Sequence, residues 1–262
     1  MSQVMGAGIR GEEILILMMY GLDFWMMPTL RKWDQSYEGW LYEHGLLRRV
    51  RWLESQKHLR RHGEGGAWVF SLTEKGRKAI TADVAPEKMW RRKWDGWWRQ
   101  LVFDLPVERR NARESLLRWL KRHRFGYLQD SVWISPDPVT VMARALEDFR
   151  DDAESFTLME CRCVKGFSDA ALVEAAWRFE RIKNHYGDYL RFAAEALKES
   201  TAAALHPQRL FELLREERRH WSAVFDEDPL SPRALWPHGY NGSDAWQMRS
   251  RLLRSLAAQV PR

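Results

Sequence analysis

The sequence predicts an α+β protein in three successive parts: an N-terminal winged helix-turn-helix over residues 1–82, a central ferredoxin-like α/β sandwich over 88–165 and a C-terminal helical domain over 166–262. Three observations carry this. The first part reads as three helices and then a two-stranded wing. The second alternates strand, helix, strand, helix, strand, and the third is helical in period and punctuated by Pro and Gly.

In the first part, the Ile-, Leu- and Met-rich run 11–22 predicts a buried helix, and Pro28 opens a short second segment at 29–33. Asp34 is a good N-cap for a third helix, with Tyr37, Trp40 and Leu41 as its apolar stripe and Gly45 as its stop. The period then changes. Residues 49–54 alternate, 56–66 are polar and end Gly-Glu-Gly-Gly, and 67–72 alternate again, which predicts a β-hairpin with a long basic tip. Thr73 is placed to cap a helix over 74–81, and 83–87, containing Pro86, reads as a linker.

In the second part, residues 98–104 (WRQLVFD) form a strand and 107–124 a helix. Ala112, Leu116, Trp119 and Leu120 share one side of that helix, while Arg110, Arg118, Lys121 and Arg122 lie on another face. A second strand over 127–135, a helix over 138–149 and a third strand over 155–164 follow. Ser168 caps a helical segment reaching about Ala196, with Gly187 as a candidate break; Pro207 starts the next helix, and Ser243 caps the last. Leu210, Phe211, Leu213, Leu214, Trp221, Phe225, Leu252, Leu253 and Leu256 form apolar stripes there, for a core and a dimer axis.

Of the 262 residues, 45% are hydrophobic and 30% charged, which excludes a disordered or collagen-like chain. The net charge is +6, and it is unevenly spread: residues 1–124 carry 24 basic and 15 acidic side chains, and 125–262 carry 18 and 21. A basic front half suits a polyanionic partner such as nucleic acid. No run reaches the ~18 apolar residues of a membrane span, so no membrane partner is expected. Two cysteines, Cys161 and Cys163, exclude a disulfide framework and read as free thiols of a cytoplasmic protein.

Three blocks then carry a resemblance. WDGWWRQLVFDLP (94–106), RFGYLQDSVWISP (124–136) and DPLSPRALWPHGYNGSDAW (228–246), in that order and with LTEKGR (72–77) at the end of the wing, resemble the PaaX family of bacterial transcriptional repressors. The resemblance implies a winged-helix DNA-binding domain, a central Cas2-like domain and a helical C-terminal domain used in dimerisation, with release from DNA by an aryl-acyl-CoA. It implies a ligand-responsive repressor, a homodimer on double-stranded DNA, with no cofactor and no enzyme activity. The chain departs from the family pattern in its short second element and in a third, residues 34–45, that carries Glu38 and Glu43 but no Arg.

The expected DNA contacts are Arg31, Lys32, Gln35, Ser36 and Tyr37 on the second and third helices, and Arg48, Arg49, Lys57, Arg60 and Arg61 around the hairpin, where Arg51 also stands. Arg91, Arg92 and Lys93, beside Trp94 and Trp97, would hold the phosphates and aromatic group of a small-molecule effector of acyl-CoA type. Asp104 is the one weak catalytic candidate, at the position where Cas2-like proteins carry a metal-binding carboxylate. It keeps a metal-dependent nuclease as one alternative, beside an interaction module that has lost specific DNA reading. His58 and His62 stand four apart, but no further ligand completes a site, so no metal is expected.

Overall fold

The computed structural model describes residues 14, 24–26, 46–62, 68–76, 86–104, 110–138 and 156–259. In chain order its elements are β1 (Phe24–Met26), α1 (Leu46–Ser55), β2 (Leu59–His62), β3 (Trp68–Leu72), α2 (Pro86–Trp90), β4 (Trp98–Phe103), α3 (Arg110–Arg122), β5 (Gly126–Gln129), β6 (Val132–Ser135), β7 (Phe156–Cys161), α4 (Asp169–Trp177), α5 (Phe179–Ala202), α6 (Pro207–Phe225), a 3₁₀ turn (Arg233–Leu235) and α7 (Gly242–Ala258). The helices expected over 29–33, 34–45 and 138–149 lie outside the described residues but for Pro138, which is not helical, as does that over 11–22 except for Ile14, which is helical and buried. Two compact units result: residues 1–85 with 187–221 and 243–262, and residues 86–186 with 222–242.

The first unit contains an antiparallel sheet in the order β1-β3-β2. Leu59 pairs with Leu72 and His62 with Val69, so the expected hairpin exists, but its first strand is later than the alternation suggested. Residues 49–54 belong to α1. Val50 and Trp52, two apart, mimic one face of a strand; the protein instead buries Val50 and Leu53, three apart, and leaves Trp52 52% exposed. The three-residue β1 is too short to show a period. Residues of α5, α6 and α7 supply a second part of the core, where Leu210, Phe211, Leu213, Leu214, Leu252, Leu253 and Leu256 are all buried. These stripes therefore fill the chain's own interior. Among them sits an ion pair: Arg249 Nε donates to Glu217 Oε1 at 2.7 Å, and the Tyr189 hydroxyl donates to the same oxygen at 3.1 Å.

The second unit holds a four-stranded antiparallel sheet in the order β5-β6-β4-β7. The single strand expected over 127–135 is a hairpin. It turns at Asp130, whose φ of +41° lies in the left-handed region that Asp tolerates better than most residues. With that extra strand the order becomes strand, helix, strand, strand and a final strand β7, and the sheet has the ferredoxin-like arrangement. Leu101 and Phe103 of β4 and Trp133 of β6 pack with Leu116 and Leu120 of α3 and with Phe125. Gly126 of β5 lies so close to α4 that a Cβ there would stand 2.6 Å from the Ala176 methyl and 2.8 Å from the Trp177 ring.

Ser168 caps α4 as expected, accepting from the Ala171 amide. The break after it falls at Arg178, with φ 50° and ψ 54°, and α5 runs through Gly187. Arg178 ends α4 by donating its amide to the Glu174 carbonyl, the left-handed stop that glycine more often supplies.

Candidate nucleic-acid interface

Among the described residues of the first unit, helix α1 presents three exposed arginines, Arg48, Arg49 and Arg51. Val50 and Leu53 point into the core, which turns Arg48, Arg49 and Arg51 outward with Trp52 and Ser55. At ~100° per residue, Arg48, Trp52 and Ser55 lie within one turn-to-turn column at the centre of the exposed face, with Arg51 on one flank and Arg49 on the other. The Ser55 hydroxyl donates to the Trp52 carbonyl at 2.7 Å and so closes the last turn.

The chain leaves α1 through a tight turn into β2. Lys57 takes φ 60° and donates its amide to Glu54, and the His58 amide returns to the Leu53 carbonyl. Thr73 locks the other side: its hydroxyl donates to the Lys57 carbonyl at 2.6 Å and accepts from the Gly76 amide at 3.0 Å. Gly76 passes so near the strand that a Cβ would meet the His58 carbonyl oxygen at 2.2 Å, so only glycine fits without displacing backbone. This clamp holds Lys57, Arg60 and Arg61 exposed along one run. Arg61 also pairs with Glu54 of α1 at 3.3 Å. His62 accepts or donates at Ser71 Oγ, 2.7 Å away, from a strand, so His58 and His62 do not share a helix face.

The structure thus brings Arg48, Arg49, Arg51, Lys57, Arg60 and Arg61 into one segment, 48–61, but on a helix followed by a strand. Arg31, Lys32, Gln35, Ser36 and Tyr37 lie outside the described residues.

The residues expected to hold an effector separate in the second unit. Arg92 is committed to the protein: Nε donates to Asp137 Oδ1 at 2.7 Å, and Nη1 donates to the carbonyls of Met89 and Leu230. Arg91 and Lys93 are exposed. Trp94 donates its indole N–H to the Trp97 carbonyl and packs against the fully buried Trp98, while Trp97 lies 3.9 Å beneath the Arg162 guanidinium. Arg99, on the buried side of β4, is held by Asp95 and Glu160, and its bonds to Asp95 hold that carboxyl below the usual range. Asp104 is exposed at the end of β4, and among the described residues no group of three or more His, Cys, Asp or Glu side chains gathers in a metal-like cluster.

The Pro-rich block 228–246 builds a buried polar centre. Asp228 accepts from the hydroxyls of Tyr186 and Tyr240 and from the Leu230 amide. Arg124, from the block 124–136, donates to the carbonyls of Phe225 and Asp228. Burial pushes the Asp228 carboxyl and both tyrosines upward and lowers Arg124. Trp90 packs edge-on against both Trp236 and Tyr240, and Trp236 packs tilted against Tyr240. The signal in the sequence was the density of Asp, Pro, Tyr and Trp in a segment without helical period.

Residues 91–173 match the PaaX protein central Cas2-like domain. Among solved structures, the uncharacterized protein Rv0674 from Mycobacterium tuberculosis is similar with a TM-score of 0.58 at 18% identity, over 95% of this chain and 97% of that one. That is a likeness of fold. No curated protein sequence matches the chain.

Proposed function

We propose, from a chain whose residues 91–173 match the PaaX protein central Cas2-like domain, a DNA-binding transcriptional regulator, a repressor that reads duplex DNA with α1 and holds the phosphate backbone with the β2–β3 hairpin. The observation that supports it is the outward face of α1: Arg48, Arg49 and Arg51 exposed together, with Val50 and Leu53 buried behind them. A ten-residue helix is about 15 Å long and of a width that a B-DNA major groove admits. Arginine is the side chain best fitted to the paired acceptors of guanine.

The hairpin then serves as the wing of a winged helix, its Lys57, Arg60 and Arg61 displacing counterions from phosphate. The dimer and the acyl-CoA-type effector come from the family resemblance; of its expected cations, Arg91 and Lys93 are exposed toward solvent. No catalytic role is assigned to Asp104, since among the described residues no carboxylate cluster joins it to make the paired-metal clamp of phosphodiester cleavage. A cytoplasmic site of action follows from the function.

The test is selection of binding sequences from random duplexes with the full chain and with Arg48→Ala/Arg51→Ala. The full chain should enrich a motif, and the variant should bind weakly with no shared motif. If the full chain enriches nothing, the regulator reading falls and the interaction module replaces it.

A further inference from the structure

The outward face of α1 is not wholly cationic. Trp52 stands on it, 52% exposed, one turn after Arg48 and within a row of arginines. Its neighbours in the core, Val50 and Leu53, are 1% and 2% exposed, so burying this indole inside the chain would require turning α1 and exposing both. An exposed tryptophan in a charged face sacrifices the burial of the largest apolar side chain the protein has, and it does so on the face of α1 turned away from the core.

We propose that Trp52 is a specificity-determining residue that reads thymine: its apolar ring edge rests on the thymine C5-methyl group in the major groove while Arg48 and Arg51 engage neighbouring base edges or phosphates. The inference rests on α1 being the reading helix. The chemistry favours this base over the others. The C5-methyl of thymine is the one apolar group in the major-groove pattern, and the remaining positions are hydrogen-bond donors and acceptors that an arginine satisfies better than an indole. The indole has a single donor, Nε1–H, so it cannot make the bidentate contacts that identify guanine or adenine. A tryptophan among arginines therefore adds methyl recognition to a helix that otherwise recognises guanine and phosphate.

The experiment uses the sequence enriched by the full chain and replaces each thymine in it, one at a time, by deoxyuridine, which lacks only the methyl group. For the wild-type protein one thymine in each half-site should lose about fourfold in affinity, the size of one buried methylene, and the rest should lose nothing. In Trp52→Ala that position should bind thymine and deoxyuridine alike, whereas Trp52→Phe should keep part of the preference. Because Trp52 is half exposed, unchanged thermal unfolding of both variants shows that folding is intact. If the wild type binds an enriched motif but ignores every methyl group, or Trp52→Ala keeps the full discrimination, the proposal is overturned while α1 remains the reading helix. Preference for single-stranded over duplex DNA that disappears in Trp52→Ala overturns it in favour of base stacking. A protein that enriches no duplex sequence overturns both readings.

Discussion

Tyr240 donates its hydroxyl to Asp228 Oδ2 at 2.6 Å, and Tyr186 donates to the same oxygen, so one buried carboxylate oxygen joins α5 to the segment between α6 and α7. Removing the carboxylate takes from both hydroxyls their shared Oδ2 and from the Leu230 amide its acceptor Oδ1. Asp228→Ala is expected to cost about 3 kcal/mol, and Tyr240→Phe about 1 kcal/mol. Urea unfolding followed by tryptophan fluorescence measures both. Equal and small effects would show that the Asp228 centre contributes little to stability.

The same carboxyl has a pH signature. Burial raises its folded pKa above the ordinary aspartate value of 3.8. The folded state therefore holds the proton more tightly than the unfolded chain between those two values. The contribution is full below about pH 3.8 and is lost as pH rises through the raised folded value. Compared with Asp228→Asn, the wild type should lose stability over that window, and a constant difference between the two across pH 4–7 would contradict it.

Glu217 and Arg249 make the corresponding buried pair in the first unit, 1% and 2% exposed. Glu217→Ala should cost about 3–5 kcal/mol because it removes the carboxylate that a buried guanidinium pairs with. Replacing both partners by apolar residues of similar size, Glu217→Leu with Arg249→Met, should recover most of that loss. A double variant as unstable as the single one would mean that specific geometry, not charge burial, dominates.

Lys57→Ala, Arg60→Ala and Arg61→Ala together should weaken duplex binding and reduce the slope of log affinity against log salt by about 2. The reduction is smaller than three full contacts because Arg61 already has Glu54 within 3.3 Å. Titrations at several salt concentrations give the slope. An unchanged slope would take the hairpin out of the interface.

Burial, aided by the hydrogen bond and charge of Asp169, pushes the Cys163 thiol up to about 11. At pH 8 the thiolate is then only on the order of a thousandth of the thiol. Alkylation with iodoacetamide should be slow in the native protein at pH 8, should accelerate toward pH 11, and should be ordinary in urea. Rapid native labelling of Cys163 at pH 8 would be inconsistent with this environment.

Strands β4 and β7, the helix over 110–122, the Ser168 cap and the Pro207 start were legible in the sequence because alternation, helical period and capping are local properties. The cationic segment 48–61 was legible as composition. Its division into helix and strand was not, because Val50 pairs equally well in sequence with Trp52 for a strand or with Leu53 for a helix, and the choice rests on which of the two the core accepts. The turn at Asp130 and the stop at Arg178 were hidden for a related reason: each uses a left-handed backbone at a residue that does not advertise it, and surrounding packing holds it there. The commitment of Arg92 to Asp137 and to the Met89 and Leu230 carbonyls joins residues 45 and 138 positions apart. Local pattern by itself determined where the cations and the apolar stripes stand along this chain. Tertiary structure decided which of them face solvent, because burial depends on partners distant in sequence that no local period can specify.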